Sequence, residues 1–537
     1  MNKNHFILLL LIIFAAFFIR VTNLTFPAFT SDEARVAFRG YTLATTAKDE
    51  LGRVMPILFN SSGDYQLPAV SYITALGTLV FGKTDLGARM PFILISILIV
   101  VLIYKISDIF FLKKEFRLLA ALVAAFTPSL IFFSKIPNET IVFTFSLILL
   151  FYLLTKEKIN FLSVVFTVIF SIAVSKIAWW ILIPFTVLTL TFFQPNLRKR
   201  TKISVILIVL FLTTVAVVLF LRVPQATRSF LENDFLLLQE NSITVAMNRS
   251  RGQGLESHWP NFVEKILFNK LQFIAVGVLN WLSHLDLAVF FGQFDEEGKM
   301  GFSSMGAFPK IAIFPFIVGI IALIRKSDVK LRALLFYPLV LTFPLVFVYP
   351  RNRQDIAVIV LPFLIFIIAL GLIKLNRLLK IAVLSLMIFE VIINMFFVSP
   401  QIKQTNYSRP AWVKQIVEDG YNLSVNSKVA LSDDFTSDIA PFLEWYTPLV
   451  AKDDFKNIQF PYKFHQSQVS GIKIIGNDDT FYFCGLDKST HIFASKRDLE
   501  EIQKWLNVTA EKTVVKTYKD DLGNNIVYLL RSTICVK

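Results

Sequence analysis

Long apolar runs broken by short basic loops dominate the first 400 residues, and a polar, mixed pattern takes over after Pro400. A helix needs about 20 mainly apolar residues to cross the hydrocarbon layer. By that measure, spans are predicted at roughly 6–23, 90–111, 118–134, 140–155, 160–174, 177–193, 203–221, 307–324, 333–349, 356–373 and 379–398. The stretch Leu67–Gly82 is apolar but shorter than a span, and if it crossed, every later basic loop would change sides. It is therefore expected to lie in the outer interface. The first apolar run leads into Arg20 without a small-residue cleavage site, so it reads as a span and not a removable leader.

Lys and Arg in short loops set orientation. One set of loops carries Lys113, Lys114 and Arg117; Lys156 and Lys158; Arg198, Lys199, Arg200 and Lys202; Arg325, Lys326, Lys330 and Arg332; and Lys374, Arg377 and Lys380. The opposite loops hold only Lys135, Lys176, Arg351 and Arg353. The first set is expected to be cytoplasmic, together with the N-terminus. This places residues 24–89, 222–306 and everything past Pro400 outside the plasma membrane. In the last region KVALS (428–432), TFYFCG (480–485) and NIVYLL (525–530) read as strands, and 436–446 and 495–506 as helices. The expected organisation is a membrane module over 1–398 and an extracytoplasmic α/β domain over 399–537. Cys484 and Cys535 both fall in that domain, where a disulfide and two free thiols are alternatives.

Composition agrees with this class. Of 537 residues, 55% are hydrophobic and 17% charged, with 55 Phe and a mean hydropathy of +0.61. Soluble domains are about a quarter charged, so a soluble enzyme is excluded. The net charge of +15 is accounted for by topology, and nucleic acid is not needed as a partner.

The remaining charges cluster at the outer ends of spans, where a charge needs a reason. Asp32 and Glu33 follow the first span, and Glu139 begins the fourth. Lys135 and Lys176 are the bases of two outer turns, and Arg351 and Arg353 belong to a third. Acids and bases at one membrane depth suit a lipid-anchored phosphate ester, with bases on the phosphate and an acid taking a proton from a hydroxyl. Acids also favour helix N-termini, so Asp32 and Glu33 can equally cap an interfacial helix. The bases can equally snorkel. No HExxH zinc motif and no GxxxxGK[ST] loop occurs.

The order of SDEAR (Ser31–Arg35), LPAVSYITALGTLVFG with LGARMPF (Leu86–Phe92), TPSLIFFSKIPNE (Thr127–Glu139) and SKIAWWILIP (Ser175–Pro184) resembles the GT-C glycosyltransferases. The particular group is the one uniting protein O-mannosyltransferases, the aminoarabinose transferase of lipid A and RgtA/B/C/D-like enzymes. The resemblance covers about 1–190 closely and 260–375 by layout. It implies an α-helical polytopic fold of about eleven spans, a polyprenyl-phosphate sugar donor, and inverting transfer outside the membrane to an envelope lipid, glycan or protein. On that reading Asp32 is the catalytic acid position with Glu33 beside it, and Glu139 is a second acidic position. Lys135 and Lys176 face the donor phosphate. Gln66-Leu67-Pro68-Ala69 stands where many members have Lys-Pro-Pro-Leu, so phosphate contacts would move to Arg222, Arg228 or Arg351. A divalent cation on Asp32, Glu33 and Glu139 is compatible with the pattern but not required by it. Two other readings compete: a transporter or flippase, and an inactive homologue that binds envelope glycan. Transporters place charges near the bilayer midplane with repeated halves, which this chain lacks.

Overall fold

In a computed structural model of the chain, the described residues are 3–24, 27–61, 64–110, 114–233, 271–292, 305–325, 328–346, 353–395, 412–424, 427, 429–432, 439–447, 468–469, 472–475, 491–500, 514–519 and 525–531, with isolated positions between 248 and 266. The expected boundary at 398–399, Cys484, Cys535, Arg351 and the 480–485 strand lie outside them.

The helices α1 (Lys3–Val21), α2 (Ser31–Thr46), α3 (Pro68–Phe81), α4 (Asp85–Ile106), α5 (Lys114–Ala125), α6 (Pro128–Phe133), α7 (Glu139–Thr155), α8 (Phe161–Val174), α9 (Ala178–Phe193), α10 (Lys199–Leu221) and α11 (Pro224–Asn233) follow in order. Later membrane helices include Ile313–Arg325, Arg353–Lys374 and Arg377–Ile393. Among the described residues, four helical stretches are long and apolar enough to cross a membrane: Asp85–Phe110, Lys199–Leu221, Val329–Val346 and Gln354–Lys374. Others are apolar but shorter.

The expected span 118–134 is split. Pro128 removes a backbone donor, α5 stops at Ala125, and α6 restarts with proline at its first turn. The carbonyl of Ala125, freed by this break, accepts from Arg20 Nη1 at 3.0 Å, while Arg20 Nε donates to Ser96 Oγ at 2.9 Å. A wholly buried guanidinium in α1 thus takes one of its acceptors from the break, while its Nη2 has no hydrogen-bond partner. α3 is 14 residues long, about 21 Å at 1.5 Å per residue, too short to span.

Packing is inverted relative to a soluble protein. The helix Gln354–Lys374 is almost wholly buried at the centre, whereas Phe14, Phe18, Leu207, Phe211 and Leu219 point outward. Glycine lets the central helix meet its neighbour: a Cβ on Gly371 would lie 1.7 Å from the Pro315 carbonyl oxygen.

The C-terminal region forms a six-stranded sheet of order β4-β5-β3-β6-β8-β7. Its strands are β3 (Val429–Ser432), β4 (Gln468–Val469), β5 (Ile472–Ile475), β6 (His491–Ser495), β7 (Val514–Lys519) and β8 (Asn525–Arg531). β3 pairs in parallel with β5 and β6, and the other pairings are antiparallel. The expected strands at 428–432 and 525–530 are β3 and β8, and the expected helix at 436–446 is Ala440–Tyr446. One apolar cluster crosses from the membrane module to this sheet: Phe29, Ala34, Ala37, Phe38 and Ala88 pack with Trp412, Ile416, Phe442, Leu443 and Trp445.

Lys83, in the turn between α3 and α4, sits at that junction. Its Nζ donates to the carbonyl oxygens of Glu444 (2.7 Å) and Thr447 (2.6 Å), above the rings of Phe38 and Tyr41. Burial pushes its ammonium down to about 8, opposed by the Glu444 carboxylate. The nearby Tyr446 hydroxyl is pushed up by burial and then by Asp85, so it stays neutral where Lys83 titrates. The folded form binds fewer protons than the unfolded one between pH 8 and the ordinary lysine value of 10.5. The penalty for burying the charge is therefore full below pH 8 and is relieved as pH rises through that window. Comparison of Tm against Lys83→Met from pH 7 to pH 10 in detergent should show the wild type gaining on the variant above pH 8.

Candidate functional site

The local sequence builds the start of α2 as a capping box. Thr30 Oγ1 accepts from the Glu33 amide, and Glu33 Oε2 accepts from the Thr30 amide, both at 3.2 Å. Glu33 is thereby turned back onto its own helix and is buried. Its capping alone accounts for an acid at that position. Asp32 is exposed one residue earlier, and among the described residues it makes no hydrogen bond or ion pair. Of the two acids, only Asp32 presents an unengaged carboxylate.

The approach to Asp32 is held by Arg89 at the start of α4. Its guanidinium donates to the carbonyls of Leu24 and Pro27 and lies over the Phe29 ring, 4.3 Å from the centroid. Seven residues beyond Asp32, two turns along the same face, Arg39 is fully buried. It donates through Nε to both Glu50 carboxylate oxygens at 2.8 Å and through Nη1 to Gln66 Oε1 at 3.0 Å. Its guanidinium also stacks over Phe59 at 4.6 Å. Gln66 is the departure from the Lys-Pro-Pro-Leu pattern, and it serves as an acceptor for Arg39. A lysine there would set a second cation against the guanidinium. Gly40 brings α2 onto α3, since a Cβ there would meet Thr74 Cγ2 at 2.6 Å.

The bases fall at two corners. At the first, Lys135 is buried and its Nζ donates to the Thr22 carbonyl at the end of α1, 2.7 Å away. Glu139 opens α7 behind the Asn138 cap and is exposed. Its neighbour Thr140 donates to Asp355 Oδ1 at 2.7 Å, which brings the start of the Arg353–Lys374 helix to the same corner. At the second, Lys176, between α8 and α9, lies over the rings of Phe220 (5.8 Å) and Phe230 (5.6 Å). Arg222 and Arg228 are exposed on the α10–α11 bend. This bend is tied to the hairpin of β1 (Phe59–Ser61) and β2 (Asp64–Gln66) by Tyr65 Oη donating to Gln225 Oε1 at 2.7 Å. Lys176 thus packs on the helices that carry Arg222 and Arg228, and Lys135 and Glu139 share the turn between α6 and α7, while among the described residues no hydrogen bond or ion pair joins Asp32 to any of them. Among the described residues no cluster of three or more His, Cys, Asp or Glu is placed to hold a metal ion.

Several residues of this site escaped the sequence reading. Arg39 carried a signal, its two-turn spacing from Asp32, and Arg89 lies within the quoted LGARMPF. Glu50, Asp355 and Lys83 carried none, because each is defined by a partner distant in sequence.

Residues 66–221 match the model of the family described as dolichyl-phosphate-mannose-protein mannosyltransferase. That segment therefore has the sequence character of a membrane glycosyltransferase family, in agreement with the resemblance carried by its motifs. No curated protein matches. Among solved structures, ArnT from Cupriavidus metallidurans in the apo state aligns at 11% identity over 98% of each chain, with a TM-score of 0.43. The same protein bound to undecaprenyl phosphate aligns at 10% identity over 100% of each chain, with a TM-score of 0.44.

Proposed function

We propose that the chain is an inverting glycosyltransferase of the plasma membrane. It would move a sugar from a polyprenyl phosphate to a hydroxyl of an envelope lipid, glycan or protein on the outer face. One observation carries the reading: residues 66–221 match a family of lipid-phosphate-sugar-dependent transferases, and Lys135, Glu139 and Lys176 all lie within that segment.

The acceptor oxygen attacks the anomeric carbon as the bond from that carbon to the phosphate oxygen breaks. Polyprenyl phosphate leaves with the electron pair, and the acceptor proton passes to Asp32. A phosphate is a competent leaving group, so the transition state needs a base on the acceptor and cations at the departing charge. Asp32 is the base, and Glu33 holds the helix start that presents it. Lys176, with Arg222 and Arg228, faces the donor phosphate, and its two phenyl neighbours strip water from the ammonium. Lys135 adds a second basic position with Glu139 orienting the acceptor, and Arg351 and Arg353 are assigned to the donor phosphate from the sequence alone. A divalent cation is not required by this chemistry.

Binding of polyprenyl phosphate, measured by native mass spectrometry in nanodiscs, tests the donor side. Lys176→Met should weaken it about 10- to 100-fold, the range for losing one hydrogen bond to a charged group. Unchanged binding would move the phosphate away from this corner.

A further inference from the structure

We propose that the C-terminal α/β unit is a positioning element for the Asp32-bearing helix, and that Trp445 is the residue through which it acts. This rests on the assignment of Asp32 as the base.

The helix Ala440–Tyr446 packs against α2 and is gripped at both signs of charge by one turn of the membrane module. Lys83 caps its C-terminal end by donating to the Glu444 and Thr447 carbonyls, where the backbone dipoles favour a cation. Two residues on, Asp85 accepts from Trp445 Nε1 at 3.2 Å and from Lys414 Nζ at 3.4 Å. Lys414 belongs to the helix Val413–Ser424 of the same C-terminal unit. Two helices of the C-terminal unit therefore place polar contacts on the short stretch Lys83–Asp85.

Trp445 also meets Phe29 edge-on, with ring centroids 6.1 Å apart. Phe29 carries the Arg89 guanidinium on its ring and directly precedes Thr30, the cap of α2. The backbone delivering Asp32 is thus held between a guanidinium of the membrane module and an indole of the C-terminal unit. The apolar residues one and two turns along α2, Ala34, Ala37 and Phe38, are buried in the same cluster as Phe442, Leu443 and Trp445. A tethered acceptor-binding module would need none of these contacts. They suit a brace, because an exposed carboxylate at a helix start is precise only as far as its backbone is fixed.

Hydrogen exchange of the full chain in nanodiscs, followed by mass spectrometry, tests the brace independently of any substrate. Trp445→Ala should speed exchange in residues 27–46 about tenfold while leaving the membrane part of α7 (141–154) unchanged. Trp445→Phe keeps the ring against Phe29 and should restore most of the protection. In parallel, Trp445→Ala should lower kcat for donor consumption about tenfold with the donor KM unchanged, and Trp445→Phe should recover it. If Trp445→Ala does not fold, Lys83→Met carries the same expectation for residues 27–46. Unchanged exchange in that segment would overturn the proposal, as would loosened exchange with full turnover. If exchange responds as expected but the wild type consumes no donor, the brace stands and the sugar-transfer reading fails.

Discussion

Asp32→Asn is expected to lower turnover by about 10²- to 10⁴-fold, the range for losing a general base, while polyprenyl phosphate binding and the assembled fold are retained. The expectation comes from local geometry. The Thr30–Glu33 capping box supplies the acid that α2 needs for its own stability, so the Asp32 side chain has no structural duty that asparagine would break. Asparagine is isosteric and still tolerates a helix first turn. The converse variant, Glu33→Gln, keeps an acceptor for the Thr30 amide and should lose far less activity. Equal losses in both would mean that helix capping, not proton transfer, underlies the requirement. Donor consumption by purified protein, with lipid-phosphate binding in parallel, separates these outcomes.

The largest effect on stability is expected from Glu50→Leu. Arg39 is wholly buried, and its guanidinium pairs with the Glu50 carboxylate. Removing that partner breaks a buried, hydrogen-bonded ion pair in a low-dielectric setting, a loss of about 3–5 kcal/mol. The double variant Arg39→Leu with Glu50→Leu should recover much of it, because replacing both members of a buried pair by apolar side chains is often near neutral. Thermal unfolding in detergent, read by loss of monodispersity, measures both. Arg39 also ties α2 to the hairpin through Gln66, so the single variant should also reduce transfer, whereas the double variant should regain stability before it regains activity.

The membrane helices were legible because hydrocarbon imposes one simple demand, a long apolar run, and the basic loops mark its sides. The shortness of the apolar run Leu67–Gly82 was legible in the sequence, and α3 has that length. The break at Pro128 was not seen, although proline at a helix start is a local signal, because the run around it stays apolar. Asp32 stands out in the sequence by its place just after the first span. That Glu33 would serve as the cap was readable only as one of two alternatives, since S/T-x-x-E patterns and catalytic acid pairs look alike in sequence. Partners such as Arg39 with Glu50, or Lys83 with the end of Ala440–Tyr446, depend on the folded chain bringing distant residues together. Periodicity is silent on such pairs. The polar tail announced a mixed α/β unit, but nothing in its pattern showed that Trp445 would pack on the residue before the α2 cap.

The most direct measurement of the central claim is to incubate the purified protein in liposomes with a panel of radiolabelled polyprenyl-phosphate sugars and an envelope extract as acceptor. Consumption of one donor, with its sugar appearing on the acceptor and free polyprenyl phosphate released in equal amount, is the predicted result. No donor consumed, together with counterflow of a solute across the same liposomes, would contradict it and assign the chain to transport.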